Sequence, residues 1–92
     1  MILVTRHPAL VEWFGIHHPE LFFTEILSHA SEEDVRDQDV VGVLPMRLAS
    51  CCGTFTELSL EVPAHLRGKE LSVQDIDSCN PTLTQYRVIK LD

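Results

Sequence analysis

The sequence predicts an α/β fold: a mostly parallel sheet of about five strands between two layers of helices, a compact three-layer sandwich of the Rossmann-like kind. Apolar segments rich in Val, Ile and Leu alternate with short helical segments along the chain. Two of those helical segments begin with a proline placed just after an apolar segment. With 92 residues there is room for one hydrophobic core, so we expect a single domain over residues 1–92.

The first half of the chain is predicted to contain three strands and one helix. Met1–Val4 is a continuous aliphatic run, which suits a buried strand. Pro8 fits the first helical position because its missing N–H would be unpaired there anyway, and Gly15 is a natural stop. The predicted elements are strand Met1–Val4, helix Pro8–Phe14, a loop at His17–Pro19, strand Leu21–Ser28, an acidic turn or brief helix at Ser31–Asp34, and strand Asp39–Val43.

The second half repeats the opening arrangement. Pro45 follows the third strand and starts a helix that Gly53 ends. Ser72, with Asp75 three residues later, forms a capping-box-like start for a short helix. The predicted elements are helix Met46–Cys52, strand Phe55–Leu60, an irregular polar segment Pro63–Leu71, helix Ser72–Ser78 and strand Thr82–Leu91.

The charge of the chain limits its partners. Fourteen acidic and seven basic residues give a formal net charge of −7. Long nucleic acid is bound non-specifically through many Lys and Arg contacts, so this composition disfavours such a partner. A phosphate-bearing ligand would therefore be small, a nucleotide or a short oligonucleotide, held by Arg6, Arg47 and backbone amides.

The hydropathy pattern bears on location. No apolar run approaches the roughly 18–20 residues that span a bilayer. Arg6 and His7 interrupt the apolar start before a signal peptide could develop. We therefore expect a cytoplasmic protein with no membrane partner.

The cysteines and histidines predict no metal site. The three cysteines are odd in number, two of them are adjacent at Cys51 and Cys52, and they do not resemble a disulfide framework. We interpret them as small buried hydrophobic residues in a reducing compartment. Neither C-x-x-C nor H-x-x-x-H spacing occurs, so no metal ion and no other cofactor is expected.

The most informative stretch is the junction Thr5-Arg6-His7-Pro8 between the first strand and the first helix. The residue before a proline avoids the α region, so His7 is expected to be extended at the rim of the sheet. A hydroxyl, a guanidinium and an imidazole would then meet beside helix N–H groups, a combination that binds phosphate and can transfer a proton. In the structural alternative, Thr5 and His7 cap the helix and Arg6 pairs with a carboxylate. The residues alone leave both interpretations open.

A second corner is predicted to lie beside the first, because the carboxyl ends of parallel strands meet at one edge of an open sheet, where ligands bind. Its candidate ligand contacts are Gly42, Leu44, Pro45, Met46 and Arg47. An Arg in the first turn of a helix opposes the helix dipole unless an anion is bound there. A solvent-exposed Arg47 without a ligand is the alternative, and Arg67 beside Gly68 is a third candidate cation.

Four segments of the chain resemble one known family. Val4–Trp13 resembles its (Ser/Thr)-Arg-His-Pro…Glu-Trp opening, and Val41–Ala49 resembles its Gly-x-Leu-Pro-x-x-Leu-Ala segment. Residues 58–72 are similar to its Pro…Arg-Gly-x-Glu-Leu-Ser stretch, and Gln85–Val88 to its final strand. This is the Csx family numbered sixteen, whose members are small accessory proteins of type III CRISPR systems. The resemblances run in order over nearly the whole chain.

The resemblance implies a ring nuclease: an enzyme that linearises cyclic oligoadenylate messengers, cyclic tetra-adenylate above all, and so switches off the CRISPR antiviral response. It also implies a CARF-like fold, related to the sensor domains of that system, and a homodimer that needs no metal ion. The ribose 2′-hydroxyl would attack its own phosphate in line. On this basis Thr5 and Arg6 hold the phosphate, His7 assists proton transfer, and Pro8 and Arg47 are further ligand contacts.

Three other functions stay open on the sequence. Histidine phosphatases also place Arg-His after a strand, but Pro8 stands where that superfamily has glycine, and the chain is too short for its second Arg and second His. A protein that sequesters the cyclic messenger without cutting it would use the same pocket. A purely structural interaction module would bind no cyclic nucleotide.

Overall fold

The chain folds into a five-stranded sheet covered on both faces by helices, as a computed structural model of all 92 residues describes it. The strands are β1 (Ile2–Val4), β2 (Glu25–Leu27), β3 (Asp39–Gly42), β4 (Thr54–Ser59) and β5 (Thr82–Tyr86). The α-helices are α1 (Pro8–His17), α2 (Glu32–Val35), α3 (Met46–Ala49) and α4 (Val73–Ser78), and a 3₁₀ turn covers Ala64–Leu66. The predicted α/β sandwich with a mostly parallel sheet is confirmed.

The order of the strands places β1 at a switch point. The sheet runs β2-β1-β3-β4-β5, with β1 parallel to both β2 and β3, β3 parallel to β4, and β5 antiparallel to β4. The chain therefore moves to one side of β1 for its second strand and to the other side for its third. In open α/β sheets the crevice at such a reversal, beyond the carboxyl ends of the two strands, is where ligands bind.

Two apolar layers hold the helices on the sheet. On one face Ile2, Val4 and Val40 pack with residues of α2 and α3. On the other face Leu3 and Val41 pack with residues of α1 and α4. Neighbouring residues of β1 and β3 thus face opposite layers, which explains why these strands are continuously apolar rather than alternating. None of the helices has the length and apolar character needed to cross a membrane.

The first helix is longer than predicted, and the assignment of Gly15 as its stop was wrong. α1 continues to His17, and the His18 backbone N–H donates to the Phe14 carbonyl at 2.8 Å. Trp13 and Phe14 are buried against the sheet in an edge-to-face pair, and the His17 ring lies against Trp13. These packing contacts outweigh the small helix propensity penalty of one glycine.

Three other predicted elements are shorter than expected. The strand predicted at Leu21–Ser28 covers only Glu25–Leu27, because Leu21 and Phe23 pack against the α1 layer instead. The helix predicted at Met46–Cys52 ends at Ala49. The closing strand predicted to reach Leu91 ends at Tyr86, which lies opposite Phe55 near the start of β4.

Candidate functional site

The two corners meet because of Gly42. Gly42 is the last residue of β3 and pairs with Val4, the last residue of β1. Its φ of 138° is one that only glycine adopts readily. A Cβ atom at this position would overlap the carbonyl oxygen of Val4. The close approach lets both strands end at the same place, so the segments that follow them diverge from a common point.

A cavity of about 420 Å³ lies at this point, beyond the carboxyl ends of β1, β2 and β3. Residues that directly follow each of the three strands line it: Thr5, Arg6 and His7 after β1; Ser28, His29 and Ala30 after β2; Val43, Leu44 and Pro45 after β3. The two corners predicted to share one crevice therefore do so. The segment after β2 is a third wall that the sequence reasoning did not include.

The first corner holds its polar groups toward the solvent. His7 is extended, with φ −107° and ψ 109°, as the following proline requires. Its backbone N–H donates to Thr5 Oγ1 at 3.1 Å, while the Thr5 N–H continues the sheet by donating to the Leu27 carbonyl at 2.9 Å. Thr5 Oγ1 accepts this bond, so its own proton is free to be donated to a ligand. Arg6 and His7 are exposed.

The structural alternative for this corner does not hold in either part. No side chain caps the N-terminus of α1, whereas α2 and α4 each have a complete capping box. Arg6 pairs with no carboxylate. Its Nη2 instead lies 3.1 Å from Nδ1 of His29. The guanidinium of Arg6 therefore borders the cavity without an acidic partner. At the start of α1, Pro8 has no N–H and the Leu10 N–H donates to the His7 carbonyl at 3.0 Å, so neither residue offers the cavity a free amide.

His29 is a site residue that the sequence reasoning missed. It follows β2 as Arg6 follows β1, and parallel pairing of the two strands brings the two residues to one edge. This placement was the available signal. No three His, Cys, Asp or Glu side chains come together as they would around a metal ion.

The second corner is apolar where it meets the cavity. Leu44 and Pro45 line it, and Gly42 is buried in the wall behind. Met46 and Arg47 are exposed and line none of the cavities described here. Pro8 does not line the cavity either; it starts α1 beside it.

Arg47 lies near α2 and outside the cavity. The pKa of Glu32 is held below its usual value, first by the hydrogen bond from Arg36 and, more weakly, by the charge of Arg47. The Arg47 carbonyl also accepts bonds from Ser50 Oγ and Cys51 Sγ, which fold the chain back after α3. The structure thus separates two residues that the sequence grouped as candidate cations.

The remaining cysteines and histidines lie away from this cavity. Cys51 and Cys52 are half-buried and Cys79 is buried, all three as free thiols. Burial raises the pKa of the Cys52 thiol, which makes it a poor nucleophile at neutral pH. His17 and His18 lie at the other end of α1, where they contact Asp77 and Glu20 at 3.0 and 3.1 Å.

Two further cavities adjoin the first. One, of about 700 Å³, shares Arg6 and His7 and is completed by the segment Val62–Leu71. The other, of about 210 Å³, is mostly apolar and lies beneath Thr5 and His7. A hydroxyl, a guanidinium and two imidazoles thus stand over an apolar floor, an arrangement suited to binding an anionic ligand and to moving a proton near neutral pH.

Comparison with protein families gives one match over nearly the whole chain. Residues 2–89 match the sequence model of a family described as "Putative CRISPR-associated protein (Cas_VVA1548)". No curated protein and no solved structure matches the chain. The matched range includes all the residues that line the three cavities.

Proposed function

The chain belongs to the Cas_VVA1548 family of CRISPR-associated proteins, and from this premise we propose that it is a ring nuclease of type III CRISPR signalling. It would bind a cyclic oligoadenylate, cyclic tetra-adenylate above all, and open the ring without a metal ion. The resemblance to the Csx family numbered sixteen supports the same activity. Cleavage of the messenger would end the antiviral signal.

One observation carries this proposal. Thr5, Arg6 and His7 line a cavity at the switch point between β1 and β3. In a chain of net charge −7, a cation without a carboxylate partner at such a point favours an anionic ligand. Phosphate oxygens are suited to both donor types, the guanidinium fork of Arg6 and the hydroxyl of Thr5.

The chemistry that these residues would perform is a phosphodiester transfer within the ligand. The ribose 2′-oxygen forms a bond to the adjacent phosphorus, and the bond from phosphorus to the 5′-oxygen breaks. Arg6 and the Thr5 hydroxyl would donate to the non-bridging oxygens, where negative charge develops. His7 would carry the proton of the 2′-hydroxyl or deliver one to the leaving 5′-oxygen. The product is a linear oligoadenylate with a 2′,3′-cyclic phosphate.

Positioning would supply much of the rate. The 2′-hydroxyl is already tethered beside its phosphate, so the protein need only hold the ring with the attacking and leaving oxygens in line. A homodimer would present two such corners around one symmetric ring. Val43 and Met46 support this proposal, since they are 75% and 70% exposed beside the cavity and offer apolar surface to a second copy.

The test is incubation of the protein with radiolabelled cyclic tetra-adenylate in the presence of EDTA. Linear product supports the ring nuclease. Loss of cleavage that only a divalent ion restores would overturn the metal-free mechanism. Arg6→Ala tests the proposed phosphate contact and should slow cleavage. Its matched control is Arg87→Ala, since Arg87 follows β5 at the opposite edge of the sheet.

Other outcomes of the same assay identify the alternative functions. Tight retention of the intact ring would instead indicate a sequestering protein, and no binding of any cyclic nucleotide would indicate a structural module. Hydrolysis of p-nitrophenyl phosphate through a phosphohistidine would revive the phosphatase interpretation.

A further inference from the structure

The second cavity adjoins the first. Arg6 and His7 form part of the wall of both. The rest of the second cavity is lined by residues of the segment Val62–Leu71, which lies between β4 and α4. A ligand that contacts Arg6 in the first cavity can therefore extend into the second without leaving the protein surface.

The charge of the second cavity differs sharply from that of the chain as a whole. Three of the seven Lys and Arg residues, namely Arg6, Arg67 and Lys69, line it, while Glu70 is its single carboxylate among fourteen. None of the three cations forms an ion pair with a carboxylate. Such a local excess of positive charge favours an anion there.

The backbone of the segment holds one of these cations, Arg67, in place. Arg67 Nε donates to the Val62 carbonyl at 3.3 Å, which leaves both terminal nitrogens of its guanidinium free for a ligand. Gly68 has φ 76°, a left-handed conformation that turns the chain between Arg67 and Lys69. The segment ends at Ser72, whose backbone N–H lowers the pKa of Asp75, with a smaller contribution from Lys69.

We infer that the second cavity binds the phosphate next to the one held in the first, so that the site takes ligands with at least two consecutive phosphodiester groups. Arg6 lies between the two phosphates, and Arg67 and Lys69 contact the second. The ligand class is thereby an oligonucleotide rather than a mononucleotide. The inference rests on the proposed function for the location of the first phosphate, but it concerns binding alone and requires no cleavage.

The experiment uses linear 2′-O-methyl oligoadenylates that carry one, two or three phosphates. Their blocked 2′-hydroxyl cannot attack, so affinity is measured apart from chemistry. We expect the wild-type protein to bind the two-phosphate probe about tenfold more tightly than the one-phosphate probe, because Arg67 and Lys69 act together on the second phosphate. Arg67→Ala and Lys69→Ala should each remove most of that step and leave binding of the one-phosphate probe within about twofold.

Matched controls exist for both variants. Arg87→Ala and Lys90→Ala remove the same charges from exposed residues that line neither cavity, and they should keep the step. The dependence of affinity on salt gives a second measure. For the two-phosphate probe, the logarithm of affinity decreases with the logarithm of salt concentration. The steepness of this decrease should be smaller by about 0.7 for each lost contact in the Arg67 and Lys69 variants and stay unchanged in the controls.

The outcomes separate this inference from the proposed function. No step between one and two phosphates, or a step that Arg67→Ala and Lys69→Ala leave intact, would overturn the inference even if the protein opens cyclic tetra-adenylate. A step that the two variants abolish and the controls keep supports it even if no ring is cleaved. Equal losses in variants and controls would show that the step depends only on net charge, and this result would also overturn the inference.

Discussion

Two corners of the molecule are built alike and contribute differently. Each follows a central parallel strand and passes through a proline into a helix at the same edge of the sheet. The first corner brings Arg6 and His7 to the cavity, and a ten-residue helix follows it. The second brings Leu44 and Pro45 to the cavity, and Arg47 in its four-residue helix lies near Glu32 instead.

The difference shows that the shared strand–proline–helix pattern determines where a segment lies but not which side chains it brings to a ligand. Both corners lie at the cavity because of backbone geometry, which the strand ends and the prolines set without help from other side chains. The side chains that reach the cavity depend on how the following helix packs. α1 lies against the sheet through Trp13 and Phe14, whereas α3 is a single turn held by Leu48 and Ala49.

The largest effect is expected at Gly42, because this one residue lets the two corners start from a common point. Gly42→Ala places a Cβ against the Val4 carbonyl and forces a conformation that alanine rarely adopts. We expect the free energy of unfolding to fall by about 3 kcal/mol or more, since strain and overlap add. Urea denaturation measures it.

The matched control for Gly42→Ala is Gly15→Ala. Gly15 lies in the last turn of α1, and a Cβ there would meet nothing within 4 Å. The control should leave stability unchanged or raise it by up to about 1 kcal/mol. A Gly42→Ala protein as stable as the wild type would mean that the two strands can end apart.

The next largest effect is expected at the proton carrier of the first corner. His7→Ala should slow ring opening about 100-fold, the lower range for loss of a general acid or base. Affinity for the intact ring should change less than about threefold, because Arg6 and the Thr5 hydroxyl remain. Single-turnover cleavage and equilibrium binding, measured on the same preparation, separate the two quantities. An equal loss in both would make His7 a binding residue only.

The two arginines test the comparison most directly. Arg6→Ala should lower both ring affinity and the rate of opening, by about 30-fold overall, as loss of a charge-assisted hydrogen bond to phosphate predicts. Arg47→Ala should change either quantity less than about threefold, since an exposed cation that lines no cavity contributes little. Similar losses in the two variants would place Arg47 at the ligand after all and make the corners equivalent.

The parts of the fold that the sequence predicted are those set by apolar pattern and by proline. The continuous aliphatic residues of β1 and β3 predicted buried parallel strands. The capping box predicted at Ser72 is present as hydrogen bonds, and Ser31 forms a second one at the start of the acidic segment. Element ends were less predictable because packing decides them. Gly15 did not end α1, since Trp13 and Phe14 hold the helix on the sheet.

The candidate site was predictable to the same extent. Thr5, Arg6 and His7 were found because they follow the first strand, and the same reasoning applied to β2 would have found His29. Lys69 could not be found in this way, because it lies in an irregular segment whose course depends on Gly68 and on the bond from Arg67 to Val62. The sequence alone gave no means of placing that segment against Arg6.

The smallest effect is expected from the hydroxyl of the first corner, where it distinguishes scaffold from ligand contact. Thr5 Oγ1 accepts the His7 N–H and keeps one proton to donate. Thr5→Ser retains both roles and should leave ring opening within about twofold, whereas Thr5→Val should slow it about fivefold, as loss of one neutral hydrogen bond predicts. If Thr5→Val lowers the melting temperature but not the rate at a permissive temperature, the hydroxyl serves only to hold His7. Arg6 would then be the donor to the phosphate, and the first corner would differ from the second by its cation and its imidazole rather than by its hydroxyl.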